Sequence, residues 1–313
     1  MTRVAAIDCG TNSIRLLIAD VTDAGLRDVT RRMQIVRLGQ GVDRTGRFAD
    51  DALARTFAAL EGYAAAIEEA GAERVRMVAT SATRDASNRD VFVDGVRARL
   101  GVDPDVVSGD EEAQLSFTGA TAGLTRSDGA AAQWPAPYLV CDIGGGSTEF
   151  VVGGPDGVHA ARSVDIGCVR MTERHLHDDP PTVEQVEAAT ADIDAGIGAA
   201  DAAVGVGTAR TLVGLAGSVT TVAALALGLP AYDAERIHHA RISAEQVHEV
   251  SASLLRSSRE QRAALPVMHP GRVDVIGAGA LVLDRIMTLG GFESVVVSEH
   301  DILDGIALSM ATS

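Results

Sequence analysis

Short unbroken apolar runs alternate along this chain with longer stretches in which apolar positions recur every three to four residues. The runs VAAI at 4–7 and LLIA at 16–19 flank a polar turn headed by Asp8, and YLVC at 138–141 and FVVG at 150–153 flank a second turn headed by Asp142. Apolar runs of this length, bounded by Gly, Asn and Ser, predict strand, tight turn and strand in both places. The helical period takes over at 50–70 and 88–100, on either side of strand-like RVRMVATSA at 74–82, and returns at 182–198, 218–228, 243–257, 272–289 and 300–311. TLVGLAG and ESVVVS read as strands between the later helices. Ser243 and Gln246 have capping-box spacing, and Pro230 and Gly290 stand where helices should stop. This alternation predicts an α/β fold.

Laying DCGTNSIRLLI over DIGGGSTEFVV matches Asp8 with Asp142, Gly10 with Gly144 and Ser13 with Ser147. The copies are too far apart for a short solenoid repeat and suit a duplicated domain. A length of 313 residues also favours two domains. The small, polar, proline-bearing segment 127–137 is the linker expected between them, giving domains at 1–124 and 125–313.

Composition narrows the chemistry. All 27 basic residues are arginine, which excludes the Walker A lysine, Schiff-base chemistry and the kinase lysine. A net charge of -16 and 3% aromatics exclude nucleic acid held by overall field or by base stacking, so a polyanionic substrate must meet local donors, a bound cation or both. The cysteines Cys9, Cys141 and Cys168 lack metal or redox spacing and read as buried small hydrophobes in a reducing cytosol. No basic, apolar signal segment is evident, and the most apolar stretch, 214–229, is too short for a membrane span and carries Ser218, Thr220 and Thr221. A cytoplasmic protein with no membrane partner is expected.

A loop of the form Asp-x-Gly-x-x-Ser lets the backbone approach an anion, points successive N–H groups at it and adds hydroxyl donors. Gly10, Thr11, Asn12 and Ser13, and in the second copy Gly144, Gly145, Gly146 and Ser147, are therefore candidate phosphate-binding residues. Asp8 and Asp142 cannot bind an anion directly, and make sense at such loops as ligands of Mg²⁺ (or Mn²⁺). Gly217 and Ser218, at a strand-to-helix turn in GLAGSVTTVAAL, offer free N–H groups to a further phosphate or serve the turn alone. The run VIGAGALVL at 275–283 lacks the third glycine of a dinucleotide loop; its small residues, like Gly119, Ala120, Ala122 and Gly123, suit close helix packing at a hinge.

In VVSGDEEAQLSFTG at 106–119, Ser108 and Glu111 have capping-box spacing, which leaves Glu112 as a helix-start carboxylate or as the group that orients and deprotonates a water. Arg15, Arg84 and Arg89 can fork onto phosphate oxygens or sit as solvated surface charges. The histidines are scattered without zinc-ligand spacing.

DCGTNS, SATRDA, SGDEEAQLSFTGA, DIGGGSTEF and GLAGSVTT, in this order, resemble the exopolyphosphatase/guanosine pentaphosphate phosphohydrolase (Ppx/GppA) family of the actin, hexokinase and Hsp70 superfamily, over nearly the whole chain. The resemblance implies two ribonuclease-H-like domains with an active cleft between them, Glu112 as catalytic base, Asp142, Gly144 and Glu149 at metal and phosphate-loop positions, and Arg84 as a phosphate-contacting arginine. A homodimer is a further expectation. Two departures stand out: Thr11 replaces the more usual Ser, and VSEHDILDGIAL lacks the arginine of the family's C-terminal turn. The chain resembles the short form without an added helical region. The implied activity is release of orthophosphate from polyphosphate, with short chains preferred because an acidic two-domain chain has no extended basic channel. Guanosine pentaphosphate (pppGpp) is the alternative substrate. A small-molecule kinase and a nucleotide-gated assembly of the same superfamily are the more distant readings.

Overall fold

The computed structural model describes residues 2–22, 25–124 and 134–311. They form two compact units, one of Met1–Ala122 with Asp301–Ser313 and one of Gly123–His300.

The first unit is built on a five-stranded sheet of β1 (Thr2–Cys9), β2 (Ser13–Thr22), β3 (Gly25–Ile35), β4 (Arg74–Ala79) and β5 (Asp105–Val106), in the order β3-β2-β1-β4-β5. The first three strands run antiparallel, and β4 and β5 add in parallel beyond β1. Both faces of β1 are covered, which is why VAAI reads as a continuous apolar run. Ala5, Ile7 and Cys9 face the Asp50–Ala70 helix through Leu53, Leu60 and Tyr63, whose hydroxyl donates to the Ile14 carbonyl at 2.9 Å. Val4 and Ala6 face Leu115, Ile302, Leu303 and Ile306.

Those last contacts correct the expected continuous domain at 125–313, because the Ile302–Ser309 helix completes the core of the first unit. It crosses the Gly109–Thr121 helix backbone to backbone. A Cβ on Gly119 would overlap the Asp301 carbonyl, and one on Gly305 would overlap that of Leu115. The small residue at 119 therefore does serve close helix packing. Of the expected linker at 127–137, residues 127–133 lie outside the described residues.

The second unit repeats the plan. Its strands are β6 (Tyr138–Ile143), β7 (Thr148–Gly154), β8 (Gly157–Val164), β9 (Thr211–Leu215), β10 (Arg241–Ser243) and β11 (Ser294–Val297), in the order β10-β11-β9-β6-β7-β8. Again three antiparallel strands lead, two parallel strands follow, and β10 adds an antiparallel edge. The repeated Asp-headed turns thus join the first two strands of two ribonuclease-H-like units. The GAGA run lies inside the Ile276–Gly290 helix and forms no dinucleotide loop, and the Ser243–Gln246 capping box is formed.

Candidate active-site residues

The two Asp-headed loops close in the same way. Gly10 N donates to the Ser13 carbonyl at 3.0 Å, and Gly144 N donates to the Ser147 carbonyl at 3.1 Å. Their remaining carbonyls are held from behind. The Thr11 carbonyl accepts from Gly39 N at 2.8 Å, and that of Asn12 from Val36 N at 3.0 Å and Arg37 N at 2.9 Å. In the second loop the start of the Cys168–His175 helix does this work: Cys168 N donates to Gly144, Val169 N to Gly145 at 2.8 Å and Gly167 N to Gly146. With the carbonyls so held, the N–H groups of Thr11, Asn12, Gly145, Gly146 and Ser147 donate no hydrogen bond among the described residues. Each loop is a nest of free amide donors suited to an anion.

Gly167 is essential to that geometry, since a Cβ there would overlap the backbone of Gly145 and Gly146. Sequence reasoning missed it. Its only signal is a glycine placed directly before a short helix.

In the first unit a chain of contacts leads from the loop toward a carboxylate. Thr11 Oγ1 and Ser81 Oγ are 3.1 Å apart, and Ser81 begins the Ser81–Asp85 helix that carries Arg84. Arg84 Nη1 donates to Glu112 Oε2 at 2.7 Å and to the Val107 carbonyl at 3.0 Å, while its Nε and Nη2 bond nothing among the described residues. Glu112 is only 8% exposed. Ser108 caps its helix by accepting from Glu111 N at 3.2 Å, yet the expected capping box is half formed, because the Glu111 carboxylate turns to Arg76 Nη2 at 2.9 Å. An available guanidinium outcompetes the N-cap amide for that carboxylate.

Asp8 is buried, and its Oδ2 accepts from Arg15 Nε at 2.9 Å and Nη2 at 2.7 Å. Burial raises its pKa, Arg15 opposes the rise and nearby Asp301 adds to it. Arg15 also pairs with Asp301, so it serves carboxylates in this structure instead of standing open to phosphate.

In the second unit Asp142 stands directly across from Glu149 on β6 and β7, both of them buried. Side chains opposite each other in an antiparallel pair share one face, and like charges there repel. Ser163 Oγ donates to Glu149 Oε1 at 2.7 Å. A carboxylate is a poor phosphate ligand, so Glu149 beside Asp142 is better suited to a cation than to a phosphate oxygen. No group of three His, Cys, Asp or Glu suited to a metal occurs among the described residues. Mg²⁺ is commonly held by one or two carboxylates completed by water and phosphate oxygens, and the Asp142–Glu149 pair fits that requirement.

Gly217 and Ser218 open the Ala216–Ala226 helix, where Ala216 has a φ of 67°. Ser218 packs against Gly279 beside Cys168, whose thiol pKa is raised by burial. The Arg272 guanidinium lies against Gly217 and donates from Nη1 to Thr221 Oγ1 at 3.2 Å. Arg272 was not singled out from the sequence, because nothing near it in the chain signals this helix start. The fold also gathers three of the histidines: the His238 ring stacks on His239 at 3.7 Å and lies 4.6 Å from that of His300.

Comparison with known proteins adds to the geometry. The model of the Ppx/GppA phosphatase family matches residues 17–313. The chain is 53% identical over 325 residues to Exopolyphosphatase 2 of Mycobacterium tuberculosis, covering 99% of both chains. It is 29% identical over 307 residues to a guanosine-5'-triphosphate,3'-diphosphate pyrophosphatase of Photobacterium profundum, covering 98% of this chain and 56% of the other. A solved exopolyphosphatase-like protein superposes with a TM-score of 0.94 at 46% identity, covering 99% of this chain and 97% of that one.

Proposed function

We infer that this chain, which belongs to the Ppx/GppA phosphatase family and is therefore a hydrolase of phosphoanhydride bonds, is an exopolyphosphatase that releases orthophosphate from the end of short polyphosphate. What favours polyphosphate is the 53% identity to Exopolyphosphatase 2 across 99% of both chains, against 29% for the guanosine-phosphate pyrophosphatase.

The chemistry assigned to the residues is as follows. Glu112 takes a proton from water as the water oxygen bonds to the terminal phosphorus, the bridging P–O bond breaks, and the shortened chain leaves with the electron pair. Arg84 fixes the Glu112 carboxylate through Nη1 and offers Nε and Nη2 to the phosphoryl oxygens, where a planar fork suits the charge that develops. The amides of Thr11, Asn12, Gly145, Gly146 and Ser147 hold phosphate oxygens. Asp142 and Glu149 would hold Mg²⁺ or Mn²⁺, which would supply neutralisation of the charge that develops on the leaving chain. Asp8, already bonded by Arg15, supports its loop and is the weaker candidate ligand.

A cytoplasmic location fits three buried cysteines, none in a disulfide. No helix among the described residues is long and apolar enough to cross a membrane.

The test is phosphate release by the purified enzyme from tripolyphosphate, long polyphosphate and pppGpp under one set of conditions. The expected result is a kcat/KM on short polyphosphate at least tenfold above that on pppGpp, tenfold being about 1.4 kcal/mol of transition-state discrimination. The reverse order would assign the chain to pppGpp.

A further inference from the structure

We propose that Arg84, Arg89, Arg47 and Arg44 form a track on the first unit that holds the phosphates behind the one being cleaved. The proposal rests on the polyphosphate reading and concerns how that substrate's tail is bound.

The track begins at the first Asp-headed loop. Gly39 donates to the Thr11 carbonyl at 2.8 Å and packs against Ala82, so the chain leaves this point beside the Ser81–Asp85 helix. It then forms the short Val42–Thr45 helix and is stapled to the residues that follow Arg84. Ser87 N and Oγ both donate to the Gly46 carbonyl, at 2.8 and 2.9 Å. Asn88 accepts from Phe48 N at 2.8 Å and donates to the Phe48 carbonyl at 3.1 Å. These four bonds set Arg44 and Arg47 alongside Arg84 and Arg89.

Elsewhere in this unit the described arginines, Arg32 apart, are committed. Arg3, Arg15, Arg27, Arg31, Arg55 and Arg76 hold carboxylates, as do Arg97 and Arg99. Among the described residues of the unit, the arginines whose guanidinium groups make neither an ion pair nor a hydrogen bond are Arg32, Arg44, Arg47 and Arg89, and three of these four flank the staple. Arg84 keeps two nitrogens open. All of the three are exposed. Asp43 and Asp85, on the same segments, have partners of their own, and Asp90 is an exposed neighbour. In a chain of net charge -16, with carboxylates abundant, guanidinium groups left unpaired together and continuous with a phosphate loop point to an anion.

The occupant is an inorganic polyanion and not a nucleic acid. Base stacking needs exposed aromatic faces, and the aromatic side chains of these segments, Phe48 and Phe92, are buried. Four guanidinium groups also make a short track, so affinity should rise with chain length only until they are engaged.

The experiment compares the wild type with the Arg44→Ala/Arg47→Ala/Arg89→Ala variant on tripolyphosphate and on long polyphosphate. The KM ratio of long polymer to tripolyphosphate should rise about tenfold, three exposed charge contacts of about 0.5 kcal/mol each. The salt dependence of long-chain binding should flatten by about two in log–log slope. Arg32→Ala, an unpaired arginine outside the track, should keep the wild-type ratio. If the triple variant does not fold, Arg47→Ala and Arg89→Ala singly should each raise the ratio about twofold. An unchanged ratio, or one that Arg32→Ala shifts equally, overturns the track. A wild type that releases no phosphate from any polyphosphate refutes the hydrolase reading instead, and the track is then decided by the affinity of long polyphosphate for the wild type and the triple variant, equal affinities overturning it.

Discussion

Arg84 spends one nitrogen, Nη1, on Glu112 Oε2 at 2.7 Å and on the Val107 carbonyl at 3.0 Å, and keeps the rest of its fork free. The contact locks the carboxylate on its helix and leaves donors beside it for the group that a water bound there would attack. In the proposed mechanism, base and phosphoryl clamp are one side-chain pair.

Arg84→Ala should therefore lower kcat/KM for polyphosphate by about 10²-fold, the scale of losing a single preorganised donor to a developing anion. Arg84→Lys should recover little of it, because a point charge cannot serve Glu112, Val107 and substrate together. Steady-state kinetics decides this, and near-normal turnover in Arg84→Lys would reduce Arg84 to a structural ion pair.

Gly167→Ala tests how the second loop is held. The added methyl must displace the Gly145–Gly146 backbone, so activity should fall by at least tenfold and the melting temperature should drop by several degrees, overpacking typically costing about 1–3 kcal/mol. Gly207→Ala, where a Cβ meets nothing, is the matched control.

The duplicated turn was legible in the sequence because Asp8, Gly10 and Ser13 recur as Asp142, Gly144 and Ser147, and the apolar strands around them repeat with the sheet order. The helices at 50–70 and 243–257 were legible from their period. β3 was not, since it is a half-solvated edge whose Arg27, Asp28, Arg31 and Arg32 interrupt any apolar pattern. The return of the last helix to the first unit was equally hidden. Its cause is a pair of glycines, Gly119 and Gly305, far apart in sequence, that permit a backbone crossing. Tertiary geometry of this kind also redirected Glu111 to Arg76 and brought Arg272 to Gly217.

Asp20 contributes a pH dependence to the stability of the fold. Hydrogen bonds from Arg3 and Arg27 lower its pKa to about 2. A carboxyl depressed in the folded state stabilises above its unfolded pKa of about 3.9, and that stabilisation is lost as pH falls toward 2. Asp20→Asn should lower the melting temperature at pH 7, with the gap to wild type closing between about pH 4 and pH 2. A gap independent of pH would mean that the loss is one of packing alone.

The proposed cation site at Asp142 and Glu149, opposite each other on β6 and β7, predicts cation dependence. Exhaustive chelation should abolish hydrolysis, and Mg²⁺ or Mn²⁺ should restore it. Asp142→Asn and Glu149→Gln should each raise the Mg²⁺ concentration for half-maximal activity by about 10-fold or more, as loss of a carboxylate ligand from a hard-cation site does. Full activity after chelation would remove the metal from the account.

The central claim is that Glu112 activates water, and Glu112→Gln tests it most directly because it keeps the shape of the side chain and its contact with Arg84 while removing the proton acceptor. Phosphate release from polyphosphate should fall by about 10²- to 10⁴-fold while polyphosphate binding persists. Glu111→Gln, which loses only a half-exposed pair with Arg76, should keep activity within about twofold and cost at most about 1 kcal/mol of stability. Near-normal turnover in Glu112→Gln, or equal losses in the two variants, would contradict the account and place the base elsewhere.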